Sequence, residues 1–248
     1  MRKFLFLIVF IIAIAGLGAQ SPIWLETELG LAFSGQNNLR IPNKDNDSPL
    51  LSLSKDLSMK PKMDTRLKLG YLISPKHEIS ILVTPKNYNF KGKLPEDMRF
   101  GSLSLAAGSE VSGRYHHSVY RPSYRYIFNK DKLWLHSLGF SFNISEYSVE
   151  IKSADEKASR QDFAFVPLIN IDVAIPILEE LSIVLEGEGM AGNLGRADDI
   201  YLGLEFLINS ELKLRTGYRY TVLGRETDKM HSIASFHSAN ITFNILLN

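Results

Sequence analysis

The sequence predicts an all-β chain: an antiparallel up-and-down transmembrane β-barrel of about ten strands with a polar, charge-paired interior. Three observations carry this. Apolar residues recur at every second position, most cleanly over residues 199–222. There Ile200, Leu202, Leu204 and Phe206 are followed by a break at Asn209 and Ser210, and then by Leu212, Leu214, Thr216, Tyr218 and Tyr220 in one register. The connections between such segments alternate long and short along the chain, as in barrels whose hairpins have turns at one end and loops at the other. The opposite register carries acids and bases sorted by strand.

In chain order, the first strand is expected over 24–33, with Leu25, Thr27, Leu29, Leu31 and Phe33 on the apolar side and Glu26, Glu28, Gly30 and Ala32 on the other. Residues 34–64, with Pro42, Pro49 and Pro61 among polar residues, read as an irregular loop. A hairpin follows: 65–73 sets Leu67, Leu69, Tyr71 and Ile73 against Arg66, Lys68 and Gly70, and 77–85 sets Ile79, Ile81 and Val83 against Glu78 and Ser80. Residues 86–113 read as a long, partly extended connection. The fourth strand opposes Tyr120, Tyr124, Tyr126 and Phe128 to His117, Arg121 and Arg125, and the fifth runs over 133–145 with Trp134, Leu138, Phe140 and Phe142 in one register. Pro122 and Pro167 lack a ladder donor and belong at irregular pairings. After a polar loop at 146–162, strands are expected at 163–175, 181–188, 199–207, 212–222 and 233–247, with loops at 189–198 and 224–231.

The bulk numbers are compatible with one domain. The chain has 248 residues, is 45% hydrophobic, carries a net charge of +1 and has no cysteine. Neutrality gives no basic face for nucleic acid, and the missing cysteines exclude disulfide scaffolds, thiol nucleophiles and thiolate metal sites. Arg2 and Lys3, the apolar run at 4–15 and the small residues through Ala19 read as a secretory signal peptide over 1–19, leaving a barrel domain over 20–248. That apolar run falls short of the ~20 residues that a spanning helix needs.

A period of two does not say which face is inside. A secreted soluble barrel around an apolar ligand would put the leucines within. The polar register argues otherwise, because it mixes its charges with Gly30, Ala32, Gly70, Gly139, Gly203 and Gly217, too small for a solvated exterior. The aromatics also sit near strand ends: Tyr71, Phe128, Trp134 and Phe206 beside short turns, and Phe33, Phe163 and Tyr220 beside long connections, forming two girdles. The lumen then holds Glu26, Glu28, Glu78, Asp172, Glu186, Glu188 and Glu205 against Arg66, Lys68, Arg121, Arg125, Lys213, Arg215 and Arg219. Neighbouring strands would pair Glu26 and Glu28 with Arg66 and Lys68, or Glu205 with Arg215. Charges in a narrow lumen must be neutralised in this way, and such pairs leave little channel.

The stretches LPEDMRF (94–100), SVYRPSYRYIF (118–128), FVPLINIDV (165–173), LEGEGMAGNLGRADD (185–199) and LRTGYRY (214–220) resemble small bacterial outer-membrane β-barrels, in a family to which no activity is attached. The resemblance implies the fold and a location in the outer membrane of a diderm bacterium; the expected partners there are outer-membrane lipid, lipopolysaccharide and the barrel-assembly machinery, and the expected state is a monomer. The resemblance carries over no catalytic residues. Such barrels commonly end in an aromatic residue, whereas this chain ends Ile245, Leu246, Leu247, Asn248, so Phe243 is the candidate substitute.

No catalytic, cofactor or metal site is expected. Residues 187–192 satisfy G-x-G-x-x-G, but no helix follows to meet a pyrophosphate. His116, His117, Asp198, Asp199, Asp228 and His231 are the rim residues from which a proteolytic or lipid-modifying enzyme would have to be built. Adjacent His116 and His117 point to opposite faces of a strand, which argues against a shared metal. Lys91, Lys93, Arg99, Arg114, Arg196 and Arg225 are rim bases within reach of glycolipid phosphates. The expected function is therefore a structural or surface-interaction role, with a narrow solute pore and a rim enzyme as alternatives.

Overall fold

The computed structural model describes residues 22–41, 49–101, 103–128, 135–154, 156–192, 195–227 and 230–247. Trp134, Asp228 and the proposed signal peptide lie outside the described residues. Ten long strands form the wall: β1 (Ile23–Arg40), β4 (Lys62–Ser74), β5 (His77–Lys93), β8 (Glu110–Ile127), β9 (Leu135–Ser153), β10 (Glu156–Pro176), β11 (Leu181–Gly192), β12 (Gly195–Leu207), β13 (Leu212–Thr227) and β14 (Met230–Leu247). Each pairs antiparallel with its neighbours in the wall, and β14 closes on β1 from Ile23↔Leu247 to Arg40↔His231. Two short strands attach to this sheet, β2 (Leu51–Ser52) on β1 and β3 (Ser58–Met59) on β5, while β6 (Met98–Phe100) and β7 (Leu103–Leu105) form a separate hairpin.

The expected ten strands are all present, but six extend well past their expected ends. Residues 146–153 and 156–162 are not loop. They continue β9 and β10 as a hairpin paired from Phe163↔Glu146 to Glu156↔Ser153. Much of 34–64 and 86–113 is likewise strand, and the segments 189–198 and 224–231 are mostly hairpin ends. These stretches look irregular because the polarity of the alternation reverses. Along β9, Ser141, Asn143 and Ser145 face inward while Phe140, Phe142 and Ile144 face out; beyond them Tyr147, Val149 and Ile151 are buried, and Glu146, Ser148, Glu150 and Lys152 face out. The period of two survives, but a polar outer face in water resembles a loop composition.

The wall therefore has two zones. In the zone next to the short turns, apolar side chains are exposed and charged ones buried: Leu202 is 55% exposed and Phe165 41%, against 2% for Arg121 and Asp199. On β10 the outward run from Phe163 to Ile175 spans roughly 28 Å along the barrel axis, taking ~3.3 Å per residue and a tilt of ~45°. In the zone next to the long connections the interior is an ordinary apolar core. Tyr88, Phe90, Tyr115, Val149, Ile151 and Phe236 line it, and Leu53, Leu57, Phe100 and Leu103 from the intervening segments fill it.

Both prolines sit where the ladder tolerates them. Pairing of β8 with β9 skips Arg121 and Pro122. The β10–β11 ladder ends at Ile169↔Gly189, so Pro167 is paired with β9 alone among the described residues. Val166 and Leu168 close the gap above β11 by packing on Ala197 and Leu223.

Candidate functional site

The lumen of the turn-side zone holds the predicted charges. Strand alternation delivers them there: Glu26 and Glu28 on β1, Arg66 and Lys68 on β4, Arg121 and Arg125 on β8, Asp172 on β10, Glu186 on β11 and Arg219 on β13 are all buried, while Glu188 on β11, and Glu78, Glu205, Lys213 and Arg215 near the turn end, are partly so. At the centre Asp199 accepts hydrogen bonds from three guanidinium groups, Arg66 Nη1 at 2.9 Å, Arg121 Nη1 at 3.1 Å and Arg219 Nη1 at 2.7 Å. Arg219 also donates to Glu28 (Nη2 to Oε2, 2.7 Å), and Arg121 to Glu188 (2.6 Å). Arg125 reaches Glu188 at 3.2 Å and Asp172 at 4.0 Å. Toward the turn end, Arg215 bonds Glu186 at 2.6 Å and Glu205 at 2.7 Å, and lies 3.6 Å from Glu26.

Two of the adjacent-strand pairings form, Glu28 with Arg66 (3.7 Å) and Glu205 with Arg215. The third differs. Lys68 stands opposite Glu26 in the ladder, yet its ammonium lies over the Trp24 ring, 5.3 Å from the centroid, and Glu26 turns to Arg215 instead. Many of the shortest contacts link strands that are not neighbours: β4 to β12, β8 to β11 and β13 to β1. Such contacts replace lost hydration with several partners per charge, which a single ladder pair cannot do.

Three buried charges lie outside the expected set. Asp199, expected at the rim, is central because β12 begins at Gly195, four residues before it; its register shared with Gly203 and Glu205 is the signal in the sequence. Asp64 and Lys86, which form a buried ion pair beneath the Phe236 ring, fell within segments read as irregular.

The rim residues are not gathered into one site. His116 faces out and bonds Asn87 Oδ1 at 2.6 Å, whereas His117 is buried, 3.1 Å from the Tyr115 hydroxyl and stacked on Tyr147. Asp198 faces out against Arg196, and Asp199 is committed to three arginines. Residues 187–192 lie on the end of β11.

Outward aromatics mark both limits of the apolar zone. Phe33 and Phe163, 45% and 55% exposed, and half-buried Tyr220 lie toward the long connections, while Tyr71, Phe128 and Phe206 lie toward the turns. A further outward cluster was not anticipated: Phe140 contacts Tyr124 and Phe142, and Phe142 stacks on Phe165 at 5.3 Å.

Trp24 lies at the turn end of the lumen and lines the cavity there. Its indole lies flat on Gly70, its ladder partner, and donates to Glu78 Oε2 at 3.2 Å. A Cβ at position 70 would collide with the six-membered ring. Gly70→Ala is accordingly expected to cost about 1–3 kcal/mol through overpacking and to shift tryptophan fluorescence, measured on protein refolded in detergent; an unchanged spectrum and unfolding midpoint would contradict this arrangement.

A closed antiparallel wall, apolar outside and ionic within, defines a transmembrane β-barrel. No family model and no curated protein matches the chain. Among solved structures, the outer membrane protease OmpT of Escherichia coli aligns over 91% of this chain and 97% of its own, with a TM-score of 0.58 at 8% identity. The attachment invasion locus protein Ail of Yersinia pestis aligns over 90% and 99%, with a TM-score of 0.43 at 11% identity. The alignment with OmpT shows the fold of a bacterial outer-membrane β-barrel, as the sequence resemblance implied.

Proposed function

We propose that this chain is an integral outer-membrane β-barrel with a structural or surface-interaction role, exported by its N-terminal signal peptide and inserted as a monomer. The observation that carries the reading is the buried ionic lumen behind an exposed apolar wall. In water that arrangement would expose the wall and bury the charges, losing on both counts, whereas in a bilayer the wall meets hydrocarbon and the ion pairs are sheltered. The short turns and termini then face the periplasm, and the second zone, with its apolar core, stands outside the cell. The outward aromatics lie at the two interfaces, and Phe243 on β14 is the residue offered to the assembly machinery.

The lumen supports a closed barrel better than a solute pore. A cavity of about 320 Å³ enters from the turn end, among Trp24, Lys68, Glu78 and Arg215. Above it stand the arginines around Asp199, and then the apolar core. Cell fractionation is expected to place the chain in the outer membrane, with faster gel migration before boiling than after. In planar bilayers the refolded protein is expected to give no discrete conductance steps. Regular steps would transfer the chain to the pore reading, and hydrolysis of peptide or lipid substrates by refolded protein would transfer it to the rim-enzyme reading.

A further inference from the structure

Outside the barrel, above the apolar zone, β5, β8 and β9 and the segment entering β4 enclose a groove of about 520 Å³. Its walls carry Lys60, Lys62, Lys91, Arg114 and Lys152, all exposed, with Asn89 and Ser112 between them. The acid in the lining, Glu150, is already engaged by Lys157 at 2.6 Å and Lys152 at 3.3 Å. The hydrogen bond from Lys157, joined by that from Lys152, holds the Glu150 carboxyl below the usual range, so it stays ionised and spent on those two partners. Among the described residues, no carboxylate lies within ion-pair distance of Lys60, Lys62, Lys91 or Arg114. A second groove of about 970 Å³ continues upward from Ser58, Lys91 and Lys152 to Lys93.

Height selects the ligand. Tyr120 and Ile144 are the last apolar outward positions on β8 and β9, and on β5 Pro85 alone lies outward and apolar beyond Val83. Arg114 is six residues beyond Tyr120, and Lys91 eight beyond Val83. At ~3.3 Å per residue and ~45° of tilt they stand roughly 14 and 19 Å above the apolar edge, past a headgroup layer of ~5–8 Å. Lipid headgroups lie too low for this groove, while sugars extending from the outer leaflet pass directly along it.

We propose that this groove binds the phosphorylated core sugars of the outer-leaflet glycolipid. Arg114 and the lysines engage the phosphates, and Asn89 and Ser112 bond the sugar hydroxyls. The inference rests on the outer-membrane reading above. It gives the interaction role a partner that lies beside the barrel in its own leaflet.

The test uses the full chain refolded in detergent and three soluble probes: a phosphorylated core oligosaccharide, the same oligosaccharide after phosphatase treatment, and a sulfated glycosaminoglycan fragment of matched charge. Calorimetric titration is expected to show binding of the first, weakened about tenfold by dephosphorylation, by the combined variant Lys60→Ala/Lys91→Ala/Arg114→Ala, and by added salt. Equal binding of the treated and untreated oligosaccharides, or an undiminished variant, would overturn the proposal. Tighter binding of the sulfated fragment would overturn the assignment to core sugars. The boiling-dependent gel shift, recorded on the same samples, separates the two failures: a shifting protein that ignores all three probes refutes the groove alone, and a protein that does not shift refutes the barrel reading. Retention of the shift by the variant shows that its loss of binding is local.

Discussion

Replacing Asp199 with alanine is expected to destabilise the refolded barrel by about 3–5 kcal/mol, the cost of leaving buried charges without their partner. Three guanidinium groups converge on this carboxylate, and its side chain is 1% exposed. Removing it leaves Arg66, Arg121 and Arg219 facing one another, with Glu28, Glu186 and Glu188 as the remaining acids within reach. The neighbouring acid supplies the control. Asp198 points outward to Arg196, which is 54% exposed in its side chain, so Asp198→Ala should change stability by no more than about 0.5 kcal/mol. The comparison is made by urea titration in detergent, following the gel-mobility shift. Equal midpoints for the two alanine variants would mean that the arginines are satisfied without the central carboxylate, and the account of the lumen would fail.

Leu202→Arg should be nearly as costly for a different reason. Leu202 is 55% exposed, on the outward run of β12 between Ile200 and Leu204. On a soluble protein, an arginine at so exposed a position would be within about 0.5 kcal/mol of neutral. Facing the hydrocarbon of a bilayer it is expected to cost about 2–4 kcal/mol. Ser148→Arg, also outward but on the far side of the polarity reversal in β9, should be tolerated in the same lipid vesicles. The pair of variants thus measures where the membrane ends. A neutral Leu202→Arg in vesicles would remove the bilayer from the description altogether.

The two experiments address the two halves of one arrangement. The ionic lumen is stable only while every charge keeps its partners, and the apolar wall only while water is kept away from it. Neither half has a parallel in the second zone, where a conventional apolar core lets the same wall continue into water. The long strands therefore run on from the first zone into the second, and in the proposed orientation the surface outside the cell is built mostly on hairpins.

Much of this was legible in the residues. The alternation at 199–222 located a hairpin and its break, and the segregation of acids and bases by strand anticipated both a charged lumen and the contacts of Glu28 with Arg66 and Glu205 with Arg215. Small residues such as Gly70 and Gly139 in the charged register indicated which side was enclosed. The sequence by itself determined the period, a count of about ten long strands and the side that faces inward in the first zone, because these depend on neighbours along a strand and on composition; closure at ten was left to the tertiary structure. Tertiary structure alone decided the height at which polarity reverses, the central position of Asp199 and the burial of Asp64 with Lys86. The period of two survives the reversal, whose mark in the sequence is a change of phase across Ser145 and Glu146, and a polar loop between two strands leaves the same mark. Which charges meet across a lumen depends on the diameter and stagger of the closed wall, and closure is a property of all ten long strands together.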